Sequence, residues 1–387
     1  MVEVMNAMQY DDSAVGNHEF DFGLDVIKAR TEQASFPYPS ANTRWRSSGF
    51  TPIEIGILPY TLTTVNDIRV GIIGLTTRDT PTATNPDNVR ELDFLNYELA
   101  LGETLPALEA EGIDINLVIA HVCQAPLEQL INRTKDLNIA LFGAGHCNEL
   151  VAKQVKDTVL LGGGFHFTAF ASATSLINLS TSEVRSLSLN TRSNTQSDHD
   201  QSVSSIVSSW AGQTEEILSE EIAFSGRTFP RQELELGQII VGSWLLTDSS
   251  AELAITNAGG IRTVLPAGKI DVGTLVSMMP FDNSIIALDL NGHTIRRAIE
   301  NGDRPIVVGL RRVGSDWVLT KCDEPLHDSK IYRILMNSFM YAGGDGYDII
   351  ADADPDGFDT GINYRQPFQD WLKSRASSVD NPFLLHP

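Results

Sequence analysis

Residues 68–75, IRVGIIGL, form the apolar stretch that decides the fold class of this 387-residue chain. A second apolar stretch, INLVIA, follows at residues 115–120, and a third runs from Ile139 to Phe142. Helical patterns at 97–111 and 126–135 lie between these stretches. Strands that alternate with helices predict βαβ units and a largely parallel sheet. We therefore expect an α/β (α+β) fold.

A polar segment at residues 190–209, rich in Ser, Asn, Gln and Asp, divides the chain. We interpret it as an exposed loop that leads into a connecting helix. The sequence after it again mixes strands with helices, as in SIIALDL at 284–290 and the helical pattern that follows. These patterns predict a domain at 1–190, a linker and connecting helix at 191–222, and a second domain at 223–387.

The composition excludes some classes of function. A formal net charge of −22 argues against nonspecific binding of nucleic acid, because that binding needs Lys and Arg to neutralise phosphates. The chain has no apolar run long enough to span a membrane, and its first residues lack the pattern of a signal peptide. The three cysteines, Cys123, Cys147 and Cys322, form no Cys-x-x-Cys pair. We therefore expect neither a disulfide framework nor a cysteine zinc site.

The polar turn at 16–23, GNHEFDFG, comes directly after the short apolar segment Ser13–Val15, which we expect to be a buried strand. The side-chain oxygen of Asn17 is a ligand type for divalent metals. His18 is suited to contact a phosphoryl group, and Asp21 is spaced to orient that imidazole. Residue types alone favour a plainer interpretation, in which Asn and Gly serve the backbone of a strand-to-helix turn and Asp caps the helix.

Two histidines also follow apolar strands. His121 ends INLVIA, and His146 follows the strand that begins at Ile139. The carboxyl ends of parallel strands meet at one edge of a sheet, so both should emerge near Asn17. A lone His is usually a structural residue, but two His and one Asn at strand ends favour a metal site. Imidazole and oxygen donors suit Zn²⁺ or Mn²⁺.

Taken in order along the chain, these motifs resemble those of the 5′-nucleotidase family, a metallophosphoesterase domain followed by a 5′-nucleotidase C-terminal domain. The stretches that carry the resemblance are GNHEFD at 16–21, FPYPSAN at 36–42, VGIIGLTTRDTP at 70–81, GHCN at 145–148, NAGGIR at 257–262, PF at 280–281, and the segment from Phe339 to Tyr347 with GGDGY. The resemblance covers nearly the whole chain. It implies a calcineurin-like metallophosphoesterase β-sandwich domain and a mixed α/β nucleotide-binding domain.

The resemblance also implies a role for each site residue. The implied metal ligands are Asn17, His121, His146 and Asn148. The implied catalytic residue is His18, which Asp21 orients. The implied substrate-binding residues are Arg231, Asn257, Gly260, Arg262, Phe281, Phe339 and Asp345. Phe281 and Phe339 would sandwich the base, Arg262 would hold phosphate, Asn257 the base edge and Asp345 the ribose. The implied cofactors are two divalent ions such as Zn²⁺ or Mn²⁺, and the implied partner is a small-molecule nucleotide.

This sequence departs from the family pattern in several places. The family's opening strand ending in Asp-x-His, and its later Gly-Asp whose Asp bridges both metals, do not occur here. We therefore expect an N-terminally truncated metallophosphoesterase domain, in which the second ion has lost most of its ligands. Asn148 stands where the family places His or Gln. Near Gly237, the family's Asn-Leu-Gly-Asn and the Asp that follows it are replaced by ELGQ at 235–238 and by Gly242.

Three functions stay open. The chain is a 5′-nucleotidase that hydrolyses nucleoside 5′-monophosphates, a catalytically impaired nucleotide-binding protein, or a related phosphoesterase acting on UDP-sugars or cyclic nucleotides. The family resemblance implies an extracellular, periplasmic or surface location, while we recognise no targeting signal in the sequence itself. The oligomeric state is not encoded in any pattern that we find.

Overall fold

The computed structural model describes residues 1–134, 137–178, 183–195, 198–301 and 305–384. They form two compact units, Met1–Ser208 and Ser209–Pro387, with the boundary inside one long helix. The predicted finer division, with a linker at 191–222, stays a prediction, and residues 196–197 of that linker lie outside the described part. No helix among the described residues is long and apolar enough to cross a membrane.

The first unit alternates strands with helices, as the sequence pattern predicts. Its helices, with the connecting helix last, are α1 (Val2–Ala7), α2 (Leu24–Gln33), α3 (Thr80–Ala83), α4 (Pro86–Val89), α5 (Tyr97–Ala110), α6 (Gln124–Arg133) and α7 (Gln201–Leu218). Its strands are β1 (Tyr38–Pro39), β2 (Thr43–Trp45), β3 (Ile57–Leu58), β4 (Tyr60–Val65), β5 (Ile68–Thr76), β6 (Leu92–Phe94), β7 (Ile115–His121), β8 (Ile139–Ala144), β9 (Leu150–Val155), β10 (Thr158–Gly163), β11 (Ala169–Asn178) and β12 (Glu183–Ser193).

A six-stranded sheet in the order β4-β5-β7-β8-β10-β9 is the centre of the first unit. The four inner strands run parallel, and β4 and β9 pair with them antiparallel at the two edges. Strand β5 is buried over most of its length, as a parallel strand covered on both faces should be. Helix α5 begins after Asn96, whose side-chain oxygen accepts hydrogen bonds from the N–H groups of Glu98 and Leu99, and it buries Leu101 and Leu108 in the sheet's core.

Two expectations for the first unit are wrong. Residues 13–15 do not form a strand, because only the N–H groups of Ser13 and Val15 bond to the segment at 37–39 and no reciprocal bonds complete a ladder. A disulfide joins Cys123 to Cys147, with 5.0 Å between their Cα atoms, where the cysteine spacing had predicted none. The parallel pairing of β7 with β8 brings the two cysteines together, and a separation of 24 residues in sequence does not reveal that pairing.

The second unit is a mixed α/β domain. Its helices are α8 (Leu234–Trp244), α9 (Val272–Met278), α10 (Gly292–Asn301), α11 (Ser338–Tyr341), α12 (Ile349–Ala353) and α13 (Gln366–Ser374). Its strands are β13 (Glu221–Ser225), β14 (Leu253–Asn257), β15 (Gly268–Asp271), β16 (Ser284–Asn291), β17 (Pro305–Val308), β18 (Leu310–Val313), β19 (Asp316–Leu319), β20 (Ile331–Asn337) and β21 (Phe358–Asn363).

The main sheet of the second unit has the order β17-β14-β20-β16-β21. Only β14 and β20 pair in parallel, so their carboxyl ends, Asn257 and Asn337, lie side by side. One core cluster packs around α8 and α13, where the Nε1–H of the fully buried Trp244 donates to the carbonyl of Tyr364 at 2.9 Å. A second core cluster includes alternate residues of β16 and β20, which lie on one face of the sheet. The carboxyl ends of the central strands β14 and β20 therefore lead into the loops that carry predicted substrate residues.

Candidate functional site

The polar turn at Gly16–Gly23 is fixed by the strand beside it. The hydroxyl of Thr76, at the end of β5, donates to the carbonyl of Val15 at 2.8 Å, and the amide of Asn42 bonds the backbone of Thr76 in both directions. A Cβ atom on Gly16 would lie 2.8 Å from the His121 ring, so only glycine permits this close approach. The FPYPSAN segment therefore supports the turn through Asn42.

Asn17, His121 and His146 converge as the strand pattern predicts. The buried amide of Asn17 donates through Nδ2 to the carbonyl of Ala83 at 3.0 Å, which turns its Oδ1 toward His121. The Asn17 Oδ1 atom lies 3.1 Å from His121 Nε2, and that nitrogen lies 3.2 Å from His146 Nδ1. Ligand atoms bound at ~2.0–2.1 Å around a tetrahedral ion are ~3.3 Å apart, so both of these distances are those expected between ligands of one cation.

The environment keeps His121 neutral. Burial, together with the smaller effects of the neighbouring His146 and His18, lowers the pKa of the His121 imidazole to about 4. A neutral imidazole is the form that binds a metal. Among the described residues, no group of three or more His, Cys, Asp or Glu forms a metal-binding cluster, so this set consists of two imidazoles and one amide. Asn148 lies two residues beyond His146, with an exposed side chain and left-handed backbone (φ 62°).

His18 and Asp21 form a pair on the same turn. His18 Nδ1 lies 2.8 Å from Asp21 Oδ2, and the His18 side chain is 42% exposed while that of Asp21 is 16% exposed. The hydroxyl of Thr84 donates to the other oxygen of Asp21 at 2.8 Å, and Asn88 Nδ2 donates to the Asp21 carbonyl at 2.8 Å. Thr84, between α3 and α4, therefore fixes the carboxylate that orients the imidazole, and Asn88 of α4 fixes the backbone beneath it. Sequence reasoning missed Thr84 and Asn88, because they lie more than 60 residues from the turn.

In the second unit, Asn257 and Asp345 are in contact. Asn257 ends β14, and its Nδ2 donates to Asp345 Oδ2 at 2.7 Å. The Oδ1 atom of Asn257 accepts from Asn337 Nδ2 at 3.0 Å, and Asn337 is fully buried. Asp345 has a left-handed backbone (φ 53°) in the glycine-rich turn. Sequence reasoning missed Asn337, which fixes the orientation of the Asn257 amide.

Four of the predicted substrate residues, Arg231, Gly260, Arg262 and Phe281, lie in or near the 3-10 turn Ala258–Gly260. The guanidinium of Arg262 lies 5.8 Å from the centre of the Phe281 ring, and the carbonyl of Arg262 accepts from Arg231 Nη1 at 3.4 Å. The carbonyl of the buried Gly260 accepts from the Tyr364 hydroxyl at 3.4 Å. Arg231, Arg262 and Phe281 thus form one group, with both arginines exposed.

Phe339 packs elsewhere in the second unit. Its half-buried ring lies against the backbone of Gly344 and against the second core cluster, whereas Phe281 packs against the first cluster. Both rings keep part of their surface exposed to solvent, as stacking residues require. Their sandwiching of a base stays a prediction.

Residues 211–352 match the family model of the 5′-nucleotidase C-terminal domain. The resemblance to the 5′-nucleotidase family is confirmed. A snake venom 5′-nucleotidase of Crotalus adamanteus is 26% identical over 416 residues, which cover 90% of this chain and 70% of that relative. The crystal structure of a 5′-nucleotidase precursor from Thermus thermophilus aligns with a TM-score of 0.83 at 23% identity, covering 97% of this chain and 82% of the other, and it confirms the predicted fold class.

This chain is also similar to a longer protein. The trifunctional nucleotide phosphoesterase protein YfkN of Bacillus subtilis is 24% identical over 453 residues, which cover 98% of this chain. This chain spans only 30% of the length of that relative. The names of the 5′-nucleotidase relatives agree with the enzyme class predicted from the motifs, a hydrolase acting on phosphoric ester bonds.

Proposed function

We propose that this chain hydrolyses nucleoside 5′-monophosphates to nucleoside and phosphate, using a divalent cation held by Asn17, His121 and His146. The observation that carries the proposal is the convergence of their three donor atoms, at 3.1 and 3.2 Å, beside the carboxyl ends of neighbouring strands. The donor set suits Zn²⁺ or Mn²⁺. When bound, such an ion supplies positive charge that stabilises the phosphoryl oxygens in the transition state. The second ion and the ligand role of Asn148 remain part of the proposal.

His18 and Asp21 act on the leaving group in this proposal. Asp21 holds His18 Nδ1 and so fixes the ring orientation and the position of its proton. The His18 Nε2 atom then contacts the oxygen that leaves phosphorus. The protein takes little part in covalent chemistry during phosphoryl transfer. Its main contribution through His18 is therefore to position the imidazole.

The second unit binds the nucleotide in this proposal. Phe281 and Phe339 stack on the base, and Asn257 contacts the base edge, since the amide is already oriented by Asn337. Asp345 accepts hydrogen bonds from the ribose hydroxyls. Arg262 makes a two-point contact with phosphate, a geometry that a planar guanidinium favours.

The test is phosphate release from AMP with Mn²⁺ and with a chelator. We expect release with Mn²⁺ and none with the chelator. His121→Ala should lower the rate by roughly 100-fold or more, because an ion that stabilises transition-state charge is worth several kcal/mol. His293→Ala, an exposed His at the start of α10, is the control and should keep the wild-type rate. Chelator-resistant hydrolysis would contradict the metal-dependent mechanism.

Arg262→Ala should raise the KM for AMP about tenfold with a smaller change in kcat, since a charge-assisted hydrogen bond is worth ~1.5–3 kcal/mol. Arg262→Lys keeps the charge but loses the planar fork, so it should recover only part of the affinity. Steady-state kinetics measures both variants. An unchanged KM in a folded Arg262→Ala protein would remove the phosphate role.

Two alternatives have specific support. The name of the YfkN relative favours a related phosphoesterase, and a panel of UDP-sugars and cyclic nucleotides tested against AMP decides between the substrates. The small donor set favours a nucleotide-binding protein with impaired hydrolysis. In that case AMP binds without release of phosphate, whether or not Mn²⁺ is present.

We also propose an extracellular, periplasmic or surface location. The Cys123–Cys147 disulfide supports it, because such bonds persist in oxidising compartments. Mass spectrometry of the protein isolated from its own cells under thiol-blocking conditions tests this proposal. A fully reduced pair would argue for a reducing compartment.

A further inference from the structure

The Cys123–Cys147 disulfide lies beside the imidazole pair of the proposed metal site. Cys123 is two residues after His121, at the junction of β7 with α6, and Cys147 directly follows His146 in the turn after β8. Strands β7 and β8 are parallel neighbours. The bond therefore links the residues just after His121, at the end of β7, to the turn that carries His146.

The turn that carries His146 has an unusual backbone. Both His146 (φ 65°) and Asn148 (φ 62°) adopt the left-handed region, which is uncommon for residues other than glycine. Such a conformation persists only where surrounding contacts hold it. Two hydrogen bonds do so here: the N–H of Gly145 donates to the carbonyl of Val122 at 3.1 Å, and the N–H of Cys147 donates to the carbonyl of Gly145 at 2.7 Å. The disulfide is a third, covalent contact that holds this turn.

We propose that the Cys123–Cys147 disulfide is a positioning element that holds His146 Nδ1 against His121 Nε2, so that reduction of the bond weakens divalent-cation binding by the cluster. The inference rests on the proposed metal-dependent function. Reduction by a dithiol transfers two electrons and two protons: the S–S bond breaks, two thiols form, and the dithiol becomes a disulfide. Cys147 is an exposed residue.

The experiment measures Mn²⁺ affinity by calorimetry on the full chain, oxidised and then reduced with a dithiol under native conditions and blocked by alkylation. Mn²⁺ is the probe because thiolates prefer softer ions and will not substitute for the imidazoles. We expect the dissociation constant to rise ~10-fold on reduction, the scale at which supporting residues act on metal sites. Cys123→Ser and Cys147→Ser should reproduce the loss without any alkylating group.

Cys322→Ser is the matched control, because Cys322 is the exposed free cysteine in the second unit, and it should bind Mn²⁺ as the wild type does. Circular dichroism and thermal melting separate a local effect from unfolding. Equal Mn²⁺ affinity in the oxidised and reduced folded proteins overturns the positioning role while leaving the metal site intact. Absence of Mn²⁺ binding in the oxidised wild type overturns both the inference and the metal-dependent function. If a serine variant unfolds, the reduced and alkylated wild type supplies the comparison.

Discussion

The His18–Asp21 pair depends on a residue outside its own turn. Asp21 accepts hydrogen bonds at both carboxylate oxygens, from His18 Nδ1 and from the Thr84 hydroxyl. Thr84 is buried, so its hydroxyl has a fixed direction. A carboxylate held at one oxygen only can rotate, and the imidazole that it orients then rotates with it. The position of the His18 imidazole is thus set by partners beyond its own turn.

Thr84→Ala should lower kcat for AMP about tenfold with little change in KM, because the variant loses a positioning contact and no substrate contact. Thr84→Ser keeps the hydroxyl and should stay close to the wild-type rate. Steady-state kinetics measures both, and thermal melting checks that each is folded. A Thr84→Ser variant as slow as Thr84→Ala would show that packing of the methyl group, not the hydrogen bond, is what matters.

Asp12 gives the N-terminal unit a pH-dependent stability. The pKa of Asp12 is raised to about 6, mainly by burial, with a smaller contribution in the same direction from Asp11 and an opposing one from the hydrogen bond of the Thr61 hydroxyl. The unfolded chain titrates near pH ~3.9, so the folded state holds the extra proton between the two values. The contribution of Asp12 to stability is therefore fully present below about pH 4 and is lost as the pH rises through 6.

Asp12→Asn should flatten the pH dependence of unfolding between about pH 4 and 6 and raise stability at pH 7, since the amide keeps an acceptor for Thr61 without the charge. Urea unfolding at a series of pH values measures this. Asp87→Asn, an exposed change in α4 of the same unit, should leave the slope unaltered. Equal slopes for the wild type and Asp12→Asn would contradict the shifted pKa.

At the scale of elements, the approach of β1 to β5 depends on one glycine. A Cβ atom on Gly74 would lie 1.8 Å from the carbonyl oxygen of Pro39, a backbone atom that cannot rotate away. The Gly74 carbonyl also accepts a hydrogen bond from the N–H of Ala41. The next residue, Asn42, donates through its side-chain amide to the carbonyl of Thr76. The glycine therefore couples the central sheet to the segment that supports the site turn.

Gly74→Ala should destabilise the N-terminal unit by about 3 kcal/mol or more, because β1 must move to make room. Gly143→Ala is the matched control in β8 of the same sheet, where the nearest atoms are 3.8 Å from the new Cβ. Urea unfolding should find a change below about 1 kcal/mol for that control. Similar destabilisation by both variants would show that loss of strand glycine, and not the clash, is responsible.

The sequence predicts the elements of this fold better than the contacts between them. Strands β5, β7 and β8 were evident as apolar runs, and the residues that follow the last two already suggested the His121–His146 pair. The disulfide depends on the pairing of β7 with β8, which the cysteine spacing does not encode. Thr84 and Asn337 bond partners 63 and 80 residues away, and neither residue belongs to a motif that marks its role.

At the scale of the whole molecule, the hydrophobic cores follow the division into two units. The two clusters of the first unit draw their buried residues from 15–160, and the two clusters of the second from 222–383. None of the described residues of α7 is buried. Each unit therefore has a core large enough to unfold cooperatively.

Differential scanning calorimetry should accordingly resolve two transitions that respond to different ligands. Mn²⁺ at 100 times its dissociation constant should raise one transition by about 5–10 °C, because binding at that excess contributes ~2.7 kcal/mol. Adenosine, which lacks the phosphate, should raise the other, since the residues proposed for base and ribose all lie in the second unit. His121→Ala should abolish the Mn²⁺ shift and keep the adenosine shift, while Phe339→Ala should do the reverse. A single transition that both ligands raise would mean that the units unfold together, and the two binding functions would then have to be separated by titration of the variants.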